Sequence, residues 1–227
     1  NNAVKEIVHD SYKIDNEKFE VLSHGINIKK FTYSKKIRTN IFTLMYFGSL
    51  IESYDFDLII NAAKKLKEKN IQFIIRGRGK LLPYIKNQKE KYKLDNLLIQ
   101  TDVIKNEEIS KMLHKSDVLL APMQKSKLAN YSLPTKILEY QAVGRPIICC
   151  SNGAVGTYVE QTNSGLRADQ GNLESFIDSI LKLESNPKLC DILGENGRKN
   201  IEKEHTFEKI GIRLSYIIDK IIKNNTN

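Results

Sequence analysis

One segment in the middle of the chain combines residue types suited to binding a phosphorylated ligand. Residues 132–140 read Ser-Leu-Pro-Thr-Lys-Ile-Leu-Glu-Tyr, and this pattern predicts a helix that begins near Thr135. The first amide groups of a helix have no internal partner and the helix dipole is positive at that end, so anions bind there. A lysine lies in the predicted first turn, and a glutamate one turn further can accept hydrogen bonds from two ribose hydroxyls. The candidate residues for a diphosphate and its ribose are Leu133, Pro134, Thr135, Lys136 and Glu139.

The same segment also has a purely structural interpretation. A glutamate near a helix start interacts favourably with the helix dipole, and a surface lysine is usually solvated. Under that interpretation Lys136 and Glu139 bind no ligand, and the segment alone leaves both interpretations open.

Two glycine-containing segments follow apolar runs and are further candidates. Gly48 and Ser49 come directly after the run Phe42–Phe47, and Arg-Gly-Arg-Gly-Lys follows the next such run. Glycine lets a backbone approach a ligand closely and frees amide donors, and Arg78 beside Gly77 adds a cation for phosphate. Only G-x-G is present, so the second segment is not a dinucleotide-binding fingerprint. Tight turns with solvated charges are the alternative for both segments.

The chain alternates between short apolar runs and amphipathic segments. Short apolar runs predict strands, and apolar residues spaced by three or four predict helices. Strands that alternate with helices of about ten residues form parallel sheets through right-handed crossovers. We therefore predict an α/β fold with an open, mostly parallel sheet. The predicted strands are Phe42–Phe47, Ile71–Ile75, Leu97–Gln100, Val118–Ala121 and Pro146–Cys149, and the predicted helices are Phe56–Leu66, Leu81–Tyr92, Asn106–Lys115, Thr135–Val143 and Val155–Glu160.

The two ends of the chain show a different pattern. The first 30 residues predict a helical segment, a strand at Phe19–Ser23 and a turn at His24–Asn27. Ligands of open parallel sheets bind beyond the carboxyl ends of the strands, so we expect the site in the loops of the central part. From Asn172 onward the pattern is helical only, with predicted helices at Leu173–Leu183, Pro187–Glu202 and Phe207–Ile222.

The composition fits a folded domain. The 227 residues are 41% hydrophobic and 28% charged, which supplies enough apolar material for a core. No stretch has the apolar length of a membrane-spanning helix and the chain starts without a signal-peptide pattern, so we expect a cytoplasmic location. The three cysteines show neither disulfide nor zinc spacing, so we expect buried thiols and no metal site.

The net charge of +9 indicates an anionic partner. Nucleic acid, an acidic membrane face and a phosphorylated small molecule all satisfy this requirement. Nucleic-acid binding surfaces interleave aromatic side chains with cations, and the tyrosines of this chain are scattered, so we expect no nucleic-acid partner. The scattered tyrosines are Tyr12, Tyr33, Tyr84 and Tyr92.

Five motifs in a fixed order resemble the C-terminal half of family 4 glycosyltransferases of the GT-B architecture. The likeness spans roughly residues 20–210. Each motif alone is weak, and their shared order and spacing make the resemblance more specific. The motifs are His-Gly-Ile-Asn at 24–27, Tyr-Phe-Gly at 46–48, Phe-Ile-Ile-Arg-Gly-Arg-Gly at 73–79, Ser-Asp-Val-Leu-Leu-Ala-Pro at 116–122 and Lys-Ile-Leu-Glu-Tyr-Gln-Ala-Val-Gly-Arg-Pro at 136–146.

The resemblance implies a role for each candidate residue. In that family this half is a Rossmann-like domain that binds a sugar nucleotide. Glu139 matches the second glutamate of the E-x7-E signature, which holds ribose, and residues 133–136 match the stretch that meets the diphosphate. Lys136 and Arg78 would then stabilise the leaving diphosphate as the catalytic cations. The base is expected beside Thr101, Asp102 and Val103.

The sequence departs from the family signature at two places. Tyr131 stands where the first glutamate of E-x7-E is expected, and residues 50–56 lack the usual arginine and lysine pair. A subgroup that builds bacterial surface polysaccharides resembles the chain better, because it shares Tyr-Asp-Phe-Asp before one helix and Pro-Ser/Thr-Lys before another. In such a site Lys136 and Arg78 supply the phosphate cations.

The expected protein is the donor-binding half of a retaining glycosyltransferase. We expect a nucleotide-diphosphate sugar as substrate, UDP-linked, with no cofactor, and a polysaccharide or glycolipid acceptor bound through an N-terminal domain for which 227 residues leave no room. The isolated half should bind donor and transfer poorly, and the full-length protein should associate with the inner face of the membrane. The expected divisions are 1–30 as linker and acceptor-domain remnant, 31–205 as the sugar-nucleotide domain and 206–227 as a helix that crosses back.

Two other classes of function stay open at this point. A sugar-nucleotide epimerase has the same architecture and would release nucleotide and epimerised sugar without an acceptor. A basic module for nucleic acid or anionic membrane is the non-enzyme alternative, and its binding would fall steeply with salt.

Overall fold

The computed structural model describes residues 2–225 and contains a single six-stranded parallel sheet. Apolar residues fill most strand positions, as expected for parallel strands that are covered on both faces. The strands are β1 Phe42–Phe47, β2 Ile71–Arg76, β3 Leu97–Gln100, β4 Val118–Pro122, β5 Ile147–Cys150 and β6 Gly165–Ala168. Their order across the sheet is β3-β2-β1-β4-β5-β6.

Helices cover both faces of the sheet and continue beyond β6. Several begin with a side-chain cap; for example, Asn186 accepts a hydrogen bond from the amide of Leu189 at 3.0 Å. The helices are α1 Asn2–Tyr12, α2 Phe56–Lys65, α3 Leu82–Tyr92, α4 Asn106–Leu113, α5 Lys127–Tyr131, α6 Thr135–Ala142, α7 Ala154–Gln161, α8 Leu173–Glu184, α9 Pro187–Asn200 and α10 Phe207–Asn225.

The strand order places a crevice between β1 and β4. The chain runs from β1 outward through β2 to β3, and then returns to β4 and runs outward to β6 on the other side. At such a switch point the loops after the two central strands diverge and leave room for a ligand. Here the loops after Phe47 and Pro122 flank this crevice, and the isolated bridge between Tyr54 and Met123 joins them.

Two predictions about strands were wrong. Phe19–Ser23 is not a strand. Close to it along the chain, Ile26 forms an isolated β-bridge with Thr206. An apolar run becomes a strand only where a sheet edge is available to pair with it. The strand β6 was missed because it has four residues at the sheet edge, and Arg167 interrupts its apolar pattern.

Helix α9 ends earlier than predicted. It was expected to continue to Glu202, but it ends at Asn200, and a π-helical turn, Ile201–His205, follows.

A buried polar network holds the turn at His24–Asn27 against the helices. The ring of His205 lies 3.2 Å from the carbonyl oxygen of His24 and 2.9 Å from the hydroxyl of Tyr158. Asn200 donates to the same hydroxyl and to Gln141 of α6. Burial lowers the pKa of His205, which favours the neutral ring in this network. The turn is thereby fixed beside α6.

The three cysteines are buried free thiols, as predicted. Burial raises the pKa of Cys190 to about 11, and it raises the pKa of Cys149 to about 12. These thiols are therefore protonated and unreactive at neutral pH.

Candidate functional site

The helix α6 begins at the carboxyl edge of the sheet, next to the loop after β1. Pro134 is its N-cap residue and makes no side-chain hydrogen bond to the first turn. The amide of Ile137 bonds to the carbonyl of Pro134 at 3.0 Å, which closes the first turn. The amides at such a start have no helical acceptor. The sequence prediction that Thr135 opens a helix here is confirmed.

Lys136 reaches from this first turn across the end of β1. Its Nζ donates to the hydroxyl of Tyr46 at 2.9 Å. The same Nζ lies 4.2 Å from the ring centroid of Tyr46 and 3.9 Å from that of Tyr54. Both distances are in the range of cation–π attraction. The hydroxyl of Tyr46 in turn donates to the carbonyl of Ser49 at 2.6 Å, so its orientation is fixed.

Gly48 lies against Lys136 in a backbone conformation that residues other than glycine rarely adopt. Its φ is +141°, and a Cβ at this position would lie 2.5 Å from the Nζ of Lys136. The amide of Gly48 donates to the carbonyl of Arg76 at 3.0 Å. This amide is therefore occupied by a protein acceptor, whereas the sequence suggested a donor for a ligand.

No carboxylate in residues 2–225 lies within ion-pairing distance of Lys136. Burial lowers the pKa of Lys136 to about 7, and the more distant charge of Glu139 partly opposes this shift. A half-buried amine of this kind gains its charge when an anion binds beside it. The electrostatics at the start of α6 thus favour an anionic ligand.

Glu139, one turn into α6, faces a cavity of about 260 Å³. Burial raises the pKa of its carboxyl, while Lys136 acts in the opposite direction. The cavity is also lined by Asn27, Lys30 and Thr135. The carboxylate therefore lies at an opening that also includes the turn at residues 24–27, as an acceptor for ligand hydroxyls requires.

The glycines after β2 pack one loop against another. A Cβ at Gly77 would lie 1.8 Å from the carbonyl oxygen of Gly48, and one at Gly79 would lie 2.3 Å from that of Leu50. The amide of Gly77 already donates to the carbonyl of Gln100 at 3.0 Å. These glycines thus allow the loops after β1 and β2 to touch. This packing fits the alternative in which the segment is a tight turn.

The basic residues of the same segment contact the protein itself. Arg78 is exposed, and its Nε donates to the carbonyl of Thr101 at 2.7 Å. Lys80 pairs with Glu52 at 2.8 Å on the surface. The prediction that Arg78 contacts a phosphate stays a prediction, and its contact in the structure is with the loop after β3.

Arg76, the first of the three cations in the Arg-Gly-Arg-Gly-Lys segment, organises that loop. It is 7% exposed at the end of β2, and its guanidinium contacts the carboxylate of Asp102 and the side chain of Gln100. Its Nε is buried and has no hydrogen-bond partner among the described residues. An arginine at the end of an otherwise apolar strand was the signal in the sequence. Thr101, Asp102 and Val103 thus form an irregular loop held by two arginines, and Val103 is 79% exposed.

Leu133 and Tyr131 lie at a different opening from Glu139. Both line a cavity of about 620 Å³ between α1 and α7, with Asn152 and Gly153 on its other side. The structure thus brings Lys136 together with Gly48 and Ser49, and places Glu139 and Thr135 in a neighbouring cavity. The loop at residues 101–103 is two strands away from β1, across β2.

Within residues 2–225 no helix is both long enough and apolar enough to cross a membrane. The same residues contain no group of three histidine, cysteine, aspartate or glutamate side chains placed to hold a metal ion.

The family model described as glycosyl transferases group 1 matches residues 27–200, and the chain belongs to this family. A relative is the UDP-Gal:alpha-D-GlcNAc-diphosphoundecaprenol alpha-1,3-galactosyltransferase of Escherichia coli. It is 25% identical over 216 residues, which cover 88% of this chain and 54% of the relative. The chain spans about half the length of the curated relatives that it matches first.

Solved structures share the fold. A glycosyltransferase from Rickettsia africae superposes with a TM-score of 0.83 and 17% identity, over 98% of this chain and 62% of that one. The C-terminal domain of a glycosyl transferase group 1 family protein from Francisella tularensis gives a TM-score of 0.65 and 17% identity, over 81% of this chain and 100% of that one. The six-stranded Rossmann-like sheet flanked by helices is therefore a GT-B fold.

Proposed function

We propose that this chain is the donor-binding half of a retaining family 4 glycosyltransferase. One observation carries the proposal: the Nζ of Lys136 has no carboxylate partner among the described residues. This Nζ lies beside the start of α6, at the switch point of the sheet. The likeness to a solved C-terminal domain along its full length supports the assignment to that half.

Lys136 acts on the leaving group in this proposal. As the bond between sugar and diphosphate breaks, negative charge grows on the diphosphate. The ammonium of Lys136 and the first amides of α6 are already in place to stabilise that charge. Glu139 accepts the ribose hydroxyls, and the loop at residues 101–103 lies beside the base.

The proposed donor is a UDP-sugar, and the proposed acceptor is a polysaccharide or glycolipid. The galactosyltransferase of E. coli has UDP-Gal and a diphosphoundecaprenol acceptor in its name, which supports both choices. The acceptor binds to an N-terminal domain outside these residues, and the protein works in the cytoplasm at the inner face of the membrane. The proposed divisions are 1–30, 31–205 and 206–227; of these, residue 1 and residues 226–227 lie outside the described residues.

Calorimetry with UDP and uridine tests this function. Lys136→Ala should weaken UDP binding by about 1.5 to 3 kcal/mol and leave uridine binding unchanged, because only the diphosphate loses a charged partner. Glu139→Ala should weaken UDP and uridine alike, because both carry the ribose.

The matched control is Lys188→Ala. Lys188 is also a first-turn lysine after a proline, but it is exposed, and its helix α9 starts at the opposite edge of the sheet, where Pro187 shares a cavity with Phe42 and Asn70. This variant should bind UDP as the parent does. Unchanged UDP binding in both Lys136→Ala and Glu139→Ala would rule out the proposed site.

A further inference from the structure

We propose that Tyr46 and Tyr54 form a two-ring cradle that positions Lys136 for the diphosphate. The inference rests on the proposed function and adds two positioning residues to it. Neither tyrosine needs to touch the ligand for this role. They affect ligand binding by fixing the position and orientation of the Lys136 ammonium group.

The geometry of the cradle limits where the ammonium can lie. A lysine has a flexible stem of four carbons, and in the absence of a partner its Nζ samples many positions. Here one ring lies at 4.2 Å and the other at 3.9 Å from Nζ, and a hydroxyl lies at 2.9 Å. Three contacts from two residues thus hold Lys136 over the backbone of Gly48.

The two rings are themselves fixed by their neighbours. The ring centroid of Tyr46 lies 5.1 Å from that of Tyr54 and 5.0 Å from that of Phe56, both in edge-to-face packing. Tyr46 is fully buried and Tyr54 is 8% exposed. A movement of either ring would disturb the core, so the cradle is preorganised.

Neutral rings suit this role better than a carboxylate would. Burial raises the pKa of Tyr46 and of Tyr54, so both phenols stay protonated at neutral pH. A carboxylate would neutralise Lys136 and compete with phosphate for it. A ring attracts the ammonium without cancelling its charge, so the ammonium is placed and still available to an anion.

The test compares ring removal with ring retention in the full chain. The probe is whichever of UDP, GDP and ADP raises the melting temperature of the parent most, with its nucleoside as reference. Tyr54→Leu should weaken binding of the diphosphate about tenfold and leave nucleoside binding unchanged. Tyr54→Phe keeps the ring and should restore the parent affinity. Tyr46→Phe, which loses only the hydroxyl, should weaken the diphosphate about threefold.

Tyr92 provides the matched control. The Nζ of Lys64 lies 4.4 Å from the ring centroid of Tyr92 on the outer helices, so this pair has similar geometry away from the site. Tyr92→Leu should leave both affinities unchanged.

A spectroscopic measurement on the parent tests the cradle without a binding assay. In a chain labelled with carbon-13 at the lysine Cε, the protons of Lys136 should be shifted upfield by the ring currents, and Lys136→Met identifies their signal. Tyr54→Leu should remove most of this shift. An unshifted Lys136 signal in the parent would overturn the cradle.

The outcomes separate this inference from the proposed function. If Lys136→Ala weakens the diphosphate while Tyr54→Leu and Tyr46→Phe do not, the cradle is wrong and the site stands. If no nucleoside diphosphate binds the parent, or Lys136→Ala binds it unchanged, the proposed function fails and the cradle with it.

Discussion

The loop after β2 and the start of α6 both place basic residues at the carboxyl edge of the sheet, but their basic side chains have different partners. After β2, Arg76 contacts Asp102, Arg78 donates to the carbonyl of Thr101 and Lys80 pairs with Glu52. At α6, Lys136 contacts two neutral rings and no carboxylate of the described residues. In the proposed function, this difference makes the start of α6 the phosphate site and makes the loop after β2 a support for the loops beside it.

The largest effect is expected from closing the space between the two loops. Gly77→Ala would place a Cβ 1.8 Å from a backbone oxygen, at a φ of +154°. We expect the free energy of unfolding to fall by about 3 kcal/mol or more in chemical denaturation. Gly211→Ala is the control, because it lies in α10 with nothing within 4 Å of the added carbon, and it should stabilise by about 0.5 to 1 kcal/mol. A Gly77→Ala variant that keeps its stability but loses UDP binding would instead make this loop a ligand cradle.

The second effect separates the two basic regions by ligand. Arg78→Ala should weaken UDP and uridine equally, by about threefold, because it removes a hydrogen bond to the carbonyl of Thr101, in the loop proposed to lie beside the base. Lys136→Ala should affect UDP alone. If Arg78→Ala affected only UDP in calorimetry, that result would support Arg78 as a phosphate cation.

The third effect is a pH dependence of donor binding. Because the pKa of Lys136 is about 7 without ligand, and an anion beside Nζ raises it, binding takes up a proton above that pH. The affinity for UDP-galactose, whose phosphates do not titrate in this range, should fall from about pH 7 to pH 9, by at most about tenfold per unit. Lys136→Met should give a flat profile. A parent profile as flat as that of the variant would contradict the assignment of the proton to this amine.

The same shift affects the stability of the ligand-free chain in the opposite direction. The amine holds fewer protons when folded than when unfolded between about pH 7 and the usual lysine value of about 10.4. The contribution of Lys136 to stability therefore increases as the pH rises through this window. Denaturation of the parent and of Lys136→Met should diverge there.

The smallest effect is expected at Lys80. Its side chain is 81% exposed and its pair with Glu52 lies in solvent, so salt and water screen it. Lys80→Ala should leave the UDP affinity measured by calorimetry within about twofold of the parent. A twofold change in affinity is no larger than the net contribution of one weak hydrogen bond. A larger loss would show that the loop after β2 contributes long-range charge to the site.

The sequence predicted the central sheet well, but it did not show the contacts that individual side chains make. The strands β1 and β4 are continuous apolar runs, so their positions follow from composition and period. Tyr46 and Tyr54 entered the sequence analysis only as members of family motifs, because a sequence does not show which cation will lie above a ring. The sequence left a phosphate cradle and a tight turn both open at Gly77, and it does not show that the loop after β1 approaches this glycine.

The positions of Lys136 and Glu139 in α6 were predicted because helix starts leave a local signal. The proline, the lysine and the glutamate have fixed spacing in one turn and a half of helix, so their approximate placement follows from the sequence. The pairing of Arg76 with Asp102 joins residues that are far apart in the sequence, and no local pattern predicts it.

A crystal structure of the chain with UDP would test the central claim most directly. The account predicts an oxygen of the diphosphate about 3 Å from the Nζ of Lys136, with the ribose hydroxyls on Glu139. Density for UDP in the loop after β2, or in the cavity between α1 and α7, with Lys136 still against the two tyrosines and no phosphate beside it, would contradict the account.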